Sequence, residues 1–214
     1  MISRAKFSLI VIGAGGHGRV IADAAETSGY WSDIAFLDDR YPELTLSGSW
    51  PVIGNIEAAR NMRKRFSHAS VGIGDNVARL KLLNDLRELG FNLPTVVHPT
   101  AAISRHAEIA EGTVVFAQAV INVGAKLGMG CIVNTGAKID HDCVLGVAVH
   151  ISPGVSLAGG VAIGDYSWIG IGASVKQLIV IGKNVTVGVG SAVIKNLPDG
   201  ITAVGVPARI LGTN

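Results

Sequence analysis

From Ile103 onward every sixth residue is aliphatic. Ile103, Ile109, Val115, Ile121, Leu127, Val133, Ile139, Leu145, Ile151, Leu157, Ile163, Ile169, Val175, Ile181, Val187 and Val193 form one unbroken column. The position two residues earlier is small or β-branched throughout, from Ala101 and Ala107 to Val185 and Ser191. Both columns are expected to point inward from short extended segments. Glycine recurs just after the aliphatic (Gly128, Gly146, Gly164, Gly170, Gly182, Gly188) and three after it (Gly112, Gly124, Gly130, Gly136, Gly154, Gly160, Gly172, Gly190). Both glycine sets are expected at corners. A six-residue unit of this kind is one face of a parallel β-solenoid, which buries its core only by stacking coils. Three faces make a coil of eighteen residues, so the sixteen units predict a little over five coils.

Before Pro99 the pattern is different. Phe7 to Ile12 is apolar, Gly13-Ala14-Gly15-Gly16-His17-Gly18 follows, and a helical pattern runs to Gly29. Ile34 to Leu37 is a second apolar run ending in Asp38-Asp39. Val52-Ile53-Gly54 precedes a helix at about 56–65, and Ala69 to Ile73 precedes another at about 76–89. Strands alternating with helices across short connections predict a Rossmann-like, mostly parallel sheet covered by helices on both faces. The expected division is residues 1–98 for this α/β domain and 99–214 for the solenoid.

Composition narrows the function. Glycine supplies 28 of 214 residues, and charged residues only 16% where about 25% is usual. The net charge is +2 with scattered basic residues, which predicts no nucleic-acid partner. Mean hydropathy is +0.44. No apolar run reaches the roughly 18 residues of a membrane span, and no signal-peptide pattern opens the chain. The expectation is a cytoplasmic protein whose apolar excess lies in the core or between subunits. Cys131 and Cys143 fall in the small inward column on different faces, so they are expected as buried thiols, with no metal site.

Two features carry candidate chemistry. His141 and His150 lie outside both inward columns, and Asp140 or Asp142 could orient an imidazole acting as a base near neutral pH. Gly13, Gly15 and Gly18 satisfy G-x-G-x-x-G between a strand and a helix, with Asp38 twenty residues past Gly18. Alone, this motif points to NAD and a redox enzyme. However, about 98 residues are few for a complete dinucleotide domain. A glycine loop opening a helix can equally hold one nucleotide's phosphates.

The hexads, the stretch Asn134 to Gly146, and the ending Ala203-Val204-Gly205-Val206-Pro207-Ala208-Arg209 together resemble the bacterial sugar-nucleotide acetyltransferases. That group acts on sialic acid, UDP-bacillosamine precursors or GDP-perosamine. The resemblance implies a left-handed β-helix, acetyl-CoA as co-substrate, and a homotrimer with active sites between subunits. It implies His141 as general base with Asp142 as its acidic neighbour, at a position where other members carry Glu. It puts His150 beside the thioester and Asn134 beside base and sugar, and makes the Gly159 N–H the group polarising the thioester carbonyl. The rest of CoA is expected near Gly172, Ala173, Val189 and Gly190, with Pro207 close to its nucleotide. In the N-terminal domain, Gly13, Gly15, Gly16 and His17 are expected near the pyrophosphate or sugar, and Asp38 and Asp39 near the nucleoside. His17 would add a hydrogen bond or a charge. The implied reaction is N-acetylation of a nucleotide-linked 4-amino-4,6-dideoxy sugar, GDP-perosamine first. UDP-linked acceptors, O-acetylation, an NAD(P)-linked enzyme and a non-catalytic sugar-nucleotide binder stay as alternatives. Both a surface polysaccharide, such as a lipopolysaccharide O-antigen, and a protein glycan remain open as destinations.

Overall fold

A computed structural model describes residues 7–213. The chain divides into two compact units, one ending at Pro99 and the other starting at Thr100. In the first unit, β1 (Phe7–Ile12) leads through the glycine loop into α1 (Gly16–Ser28), and β2 (Trp31–Leu37) follows. A short hairpin, β3 (Leu46–Ser47) and β4 (Trp50–Pro51), turns at Gly48 with φ +62°. Next come a single 3₁₀ turn (Ile56–Ala58), α2 (Ala59–Met62), β5 (His68–Val71) and α3 (Asn76–Glu88). The sheet order β2-β1-β5 is parallel throughout, and Leu9 to Ile12 at its centre are fully buried. Because β1 feeds β2 on one side while β5 lies on the other, the crevice at the carboxyl end of β1 and β5 is the topological switch point.

The helix expected at 56–65 is shorter than its pattern. The N–H groups of both Arg65 and Phe66 end on the Met62 carbonyl, and that turn coincides with complete burial of the Phe66 side chain.

The second unit is a β-solenoid of two-residue strands. One face stacks Ala102–Ile103, Val120–Ile121, Lys138–Ile139, Ser156–Leu157, Ser174–Val175 and Ala192–Val193. The second face stacks Glu108–Ile109, Lys126–Leu127, Val144–Leu145, Ala162–Ile163 and Val180–Ile181. The third runs from Val114–Val115 through Ile132–Val133, His150–Ile151, Trp168–Ile169 and Thr186–Val187 to Ile201–Val204, where Arg209–Thr213 pairs back antiparallel. Pairing is parallel and in register at eighteen residues, as in Ile121↔Ile139 and Leu127↔Leu145. Each inward aliphatic therefore lies on its counterpart in the next coil, and Ile121, Val133, Ile139 and Ile151 are buried. A fully buried side chain of this size contributes about 1.5–3 kcal/mol.

Polar members of the small inward column are satisfied in one recurring way. The side chains of Thr113, Cys131, Cys143 and Ser167 donate to the carbonyls of Gly128, Gly146, Ala158 and Gly182, each fifteen residues on. Neither cysteine forms a disulfide, both are fully buried, and burial raises the Cys143 pKa above its ordinary value.

The two glycine columns flank the corners for different reasons. Positive φ recurs every sixth residue from Gly112 to Gly190, and all six non-glycine residues with positive φ (Gln118, Asp142, Ala148, Tyr166, Leu178, Asn184) sit on that same register. This is the left-handed corner. The other column, from Gly128 to Gly188, has ordinary φ and is glycine because adjacent coils touch there: a Cβ on Gly164 would meet the Lys183 nitrogen at 2.6 Å and the Gly182 carbonyl carbon at 2.7 Å. These contacts are backbone, so they cannot turn aside. Gly164→Ala is expected to cost roughly 1–3 kcal/mol by overpacking, measured by denaturant unfolding; an unchanged midpoint would refute the close-approach account.

Candidate functional site

His141 occupies the corner between the first and second faces, in the turn Asp140-His141-Asp142 after strand Lys138–Ile139. Its Nδ1 lies 2.9 Å from Asp142 Oδ2, so the imidazole is oriented with the proton on Nδ1 and the Nε2 lone pair turned away. Both side chains are exposed, at 57% and 73%. The hydrogen bond that the imidazole donates to Asp142, followed by the negative charge of Asp140, raises the His141 pKa above its ordinary 6.5. Asp142 makes this contact from the left-handed corner, at φ +58°. Such a backbone costs an ordinary residue roughly 1–2 kcal/mol, and aspartate tolerates it better than most.

The neighbouring coils make room for the pair. A Cβ on Gly124 would collide with the Asp142 carboxylate, and one on Gly159 would collide with His141 Cε1 and Nε2. Gly124 and Gly159 each stand eighteen residues from the group they accommodate, one coil before and one coil after. The Gly159 carbonyl accepts from the Leu178 N–H at 3.0 Å, while its own N–H donates to no group among the described residues. A free donor and the Nε2 edge thus lie side by side.

A second cluster occupies the third face and the next corner. His150 is only 8% exposed although it points outward, because its ring stacks on Trp168 with centroids 5.1 Å apart and planes 8° apart. Trp168 Nε1 donates to Ser152 Oγ at 2.7 Å, and the Asn134 amide nitrogen lies 3.5 Å from His150 Nε2. Gly172, Val189 and Gly190 follow Asn134 along that corner, and Pro207 is exposed in the turn of the terminal hairpin. Ala173 does not fit its expected place beside a ligand: it belongs to the inward column, is fully buried, and can offer only backbone.

One chain does not unite the two clusters. Asn134 precedes the strand Lys138–Ile139 and His141 follows it. Five chain steps from Gly136 to His141, at about 3.3 Å each, separate the two corners by roughly 15 Å. Asn134 and His141 of one copy thus stand at different corners.

In the N-terminal unit the glycines divide the work of the loop. Gly13 has φ +92°, and a Cβ on Gly18 would collide with the Gly13 carbonyl. Gly15 and Gly16 face open space. Helix α1 begins at Gly15 with no capping side chain and no acid in its first turn, whereas α3 is capped by Asp75, which accepts from the Ala78 N–H at 2.7 Å. An uncapped helix start of this kind suits an anion. His17 is not the charge it was expected to offer: burial first, and then the nearby Arg79 cation, push its pKa down to about 4. The imidazole is neutral at pH 7, so of the two roles expected for it the charge is excluded. Asp38 is engaged within the fold, accepting from the Ala14 N–H at 2.7 Å and pairing with Arg40 Nε at 2.7 Å, which holds its carboxyl far below the usual range. Asp39 accepts from the Ile56 N–H at 3.2 Å.

Several contributors were not read from the sequence. Gly124, Ser152 and Trp168 become visible only when the chain is aligned on itself at eighteen residues. The loop Gly72-Ile73-Gly74 repeats the strand-glycine-helix order of the first loop; Gly72 packs on Gly18, and Arg79 donates to the carbonyls of Ile73 at 3.2 Å and Gly74 at 3.0 Å.

Residues 8–86 match the family model of the PglD N-terminal domain. A curated relative, UDP-N-acetylbacillosamine N-acetyltransferase of Bacillus subtilis (strain 168), is 36% identical over 112 residues; the match spans about half of this chain and 51% of that protein. Among solved structures, the acetyltransferase domain of PglB from Neisseria gonorrhoeae FA1090, in complex with acetyl coenzyme A, is 42% identical. It covers 97% of this chain and 100% of its own, with a TM-score of 0.93. PerB from Caulobacter crescentus, in complex with CoA and GDP-perosamine, is 38% identical over 96% of this chain and 97% of its own, with a TM-score of 0.91.

Asp142 combines a strained backbone with the main support of the imidazole, and glycine separates the two. Asp142→Gly is expected to leave the unfolding free energy within about 1 kcal/mol of the parent, because glycine suits φ +58°. The same change removes the largest cause raising the His141 pKa, so the imidazole NMR titration should move to lower pH. A titration that stays in place would disconnect Asp142 from His141.

Proposed function

The chain belongs to the family of bacterial sugar-nucleotide acetyltransferases that join a small parallel-sheet domain to a hexapeptide β-solenoid, and on that premise we propose that it transfers acetyl from acetyl-CoA to the 4-amino group of a nucleotide-linked 4-amino-4,6-dideoxy sugar. The observation that carries this reading is the His141 corner: an imidazole held at Nδ1 by Asp142, with its Nε2 edge over Gly159 and a free N–H alongside. The amine attacks the thioester carbonyl carbon while His141 Nε2 takes its proton. The Gly159 N–H stabilises the oxyanion of the tetrahedral intermediate, which collapses with CoA thiolate leaving. The base works in its neutral form, so its raised pKa sets the acid limb of the pH profile above 6.5. Both cysteines are buried, which argues against a covalent route through sulfur.

In this reading acetyl-CoA lies along the corner of Asn134, Gly172, Val189 and Gly190, with His150 near the thioester and Pro207 near the nucleotide end. The N-terminal unit holds the sugar's nucleotide: Gly13, Gly15, Gly16 and His17 at the uncapped start of α1 for the phosphates, with Asp38 and Asp39 on the nucleoside side. GDP-perosamine is the first acceptor to test, because PerB is complexed with it. The separation of His141 from His150 and Asn134 is the reason to propose a homotrimer, in which one chain supplies the base and its neighbour the CoA corner. No helix among the described residues is long and apolar enough to cross a membrane, and a cytoplasmic location is part of the proposal.

Incubation with acetyl-CoA and a panel of GDP- and UDP-linked amino and hydroxy sugars, following free thiol, should give release with a 4-amino sugar. No release with any acceptor would defeat the proposal, and release only with hydroxy sugars would convert it to O-acetyl transfer. His141→Asn is expected to lower turnover roughly 10²- to 10⁴-fold. Light scattering should give the mass of three chains; a fully active monomer would defeat the shared site.

A further inference from the structure

The turn that presents His141 contains a second carboxylate. Asp140 Oδ1 accepts from the His141 backbone N–H at 2.8 Å and from Asn122 Nδ2 at 2.9 Å. Asn122 stands one coil earlier in the same corner column, and its own N–H donates to the Ile139 carbonyl at 3.0 Å. Asp140 is thus held by the His141 N–H of its own turn, by Asn122 in the coil before, and through its own N–H to the Leu157 carbonyl, 3.1 Å away in the coil after. Those two side-chain bonds also lower the Asp140 pKa, so the group stays ionised wherever His141 titrates.

The role is specific to this turn. The adjoining coils present Asn122-Val123-Gly124 and Ala158-Gly159-Gly160 at the same corner, none of which titrates. Charged or titratable residues in the corner column recur two coils away, at Arg105, His106 and Lys176. Cys143, next along the chain, turns its thiol inward to the Ala158 carbonyl. Asp140 and Asp142 are therefore the charges that face His141 from the elements packed against it.

We propose that Asp140, braced across coils by Asn122, is a positioning residue that fixes the His141 backbone and holds a second negative charge beside its imidazole. The two carboxylates divide the task. Asp142 sets the ring orientation through Nδ1, and Asp140 sets the turn from which the ring projects. This inference rests on the reading of His141 as the base.

The test compares Asp140→Asn, Asn122→Ala and His141→Asn in one preparation. It reads the NMR titration of the His141 imidazole and thiol release from acetyl-CoA with GDP-perosamine. Asparagine keeps an oxygen to accept both bonds but removes the charge, so Asp140→Asn should move the His141 titration, and the acid limb of kcat/KM, to lower pH. A merely structural Asp140 would leave both at the parent position, and that result overturns the proposal. Asn122→Ala removes the brace while leaving the charge; turnover should fall roughly tenfold from misplacement of the base, with KM for acetyl-CoA unchanged. Parent turnover in that variant would overturn the brace. If His141→Asn keeps parent turnover, the base assignment itself fails. The NMR shift in Asp140→Asn still decides the Asp140–His141 coupling, whatever acceptor the protein uses.

Discussion

Through the solenoid up to its last coil, where the register shortens to sixteen, each strand residue lies against the residue eighteen positions away, at the spacing of hydrogen-bonded strands, about 4.8 Å. A side chain that leaves its own coil must find its space in the coil before or after. Along the aliphatic column that demand is met by repetition, because Ile, Leu and Val stack on their own kind. Along the corners it is met by subtraction. His141 is possible because Gly159 follows it, and the Asp142 carboxylate because Gly124 precedes it. The candidate base is thus a feature of three consecutive coils, and substitution of either glycine would disturb a ring or carboxylate that its own turn leaves intact.

The same constraint explains what could be read from the chain. The solenoid was legible because its signal repeats sixteen times, and the expected buried thiols followed from the column they occupy. The doublet His141-Asp142 was legible because neither residue fits an inward position. What escaped was mostly relational. Gly124, Trp168 and the Asn122-Asp140 brace carry no local signature and acquire meaning only at a spacing of eighteen. The distinction between the two glycine columns escaped for another reason: sequence records that a side chain is absent, not whether φ or a neighbouring backbone excludes it. The structure gives the first reason to the Gly112 to Gly190 column and the second to the Gly128 to Gly188 column.

In the N-terminal unit the motif was legible and its charges were not. Glycine spacing located the strand-to-helix turn, but of the hydrogen bond or charge expected of His17, burial and Arg79 remove the charge. Taken alone, the distance of Asp38 from Gly18 pointed to NAD. In the fold Asp38 holds the loop, through the Ala14 N–H and Arg40, while Ser47 Oγ donates to the Ala14 carbonyl at 2.7 Å. With both Asp38 oxygens engaged, the uncapped helix start at Gly15 and Gly16 is the feature of this crevice that suits a ligand, and it suits negative charge better than a ribose hydroxyl, in keeping with the proposed phosphate-holding role.

The electrostatics of the His141 corner lead to the proposed neighbouring subunit by a separate route. An exposed imidazole beside an exposed carboxylate interacts through water, where screening and competing hydration weaken both the hydrogen bond and the charge. General-base catalysis and oxyanion stabilisation by a single N–H gain most of their effect where water is excluded and the local dielectric falls. A corner of a convex prism cannot exclude water by itself. The third face shows the alternative within one chain: His150 also points outward, yet Trp168 covers it to 8% exposure. His141 has a glycine at the corresponding place in the next coil, which gives it no such cover, and its side chain is exposed. Gly159 leaves that position open, and in the proposed trimer the missing wall, along with the Asn134 and His150 cluster that one chain holds roughly 15 Å away, comes from a second copy.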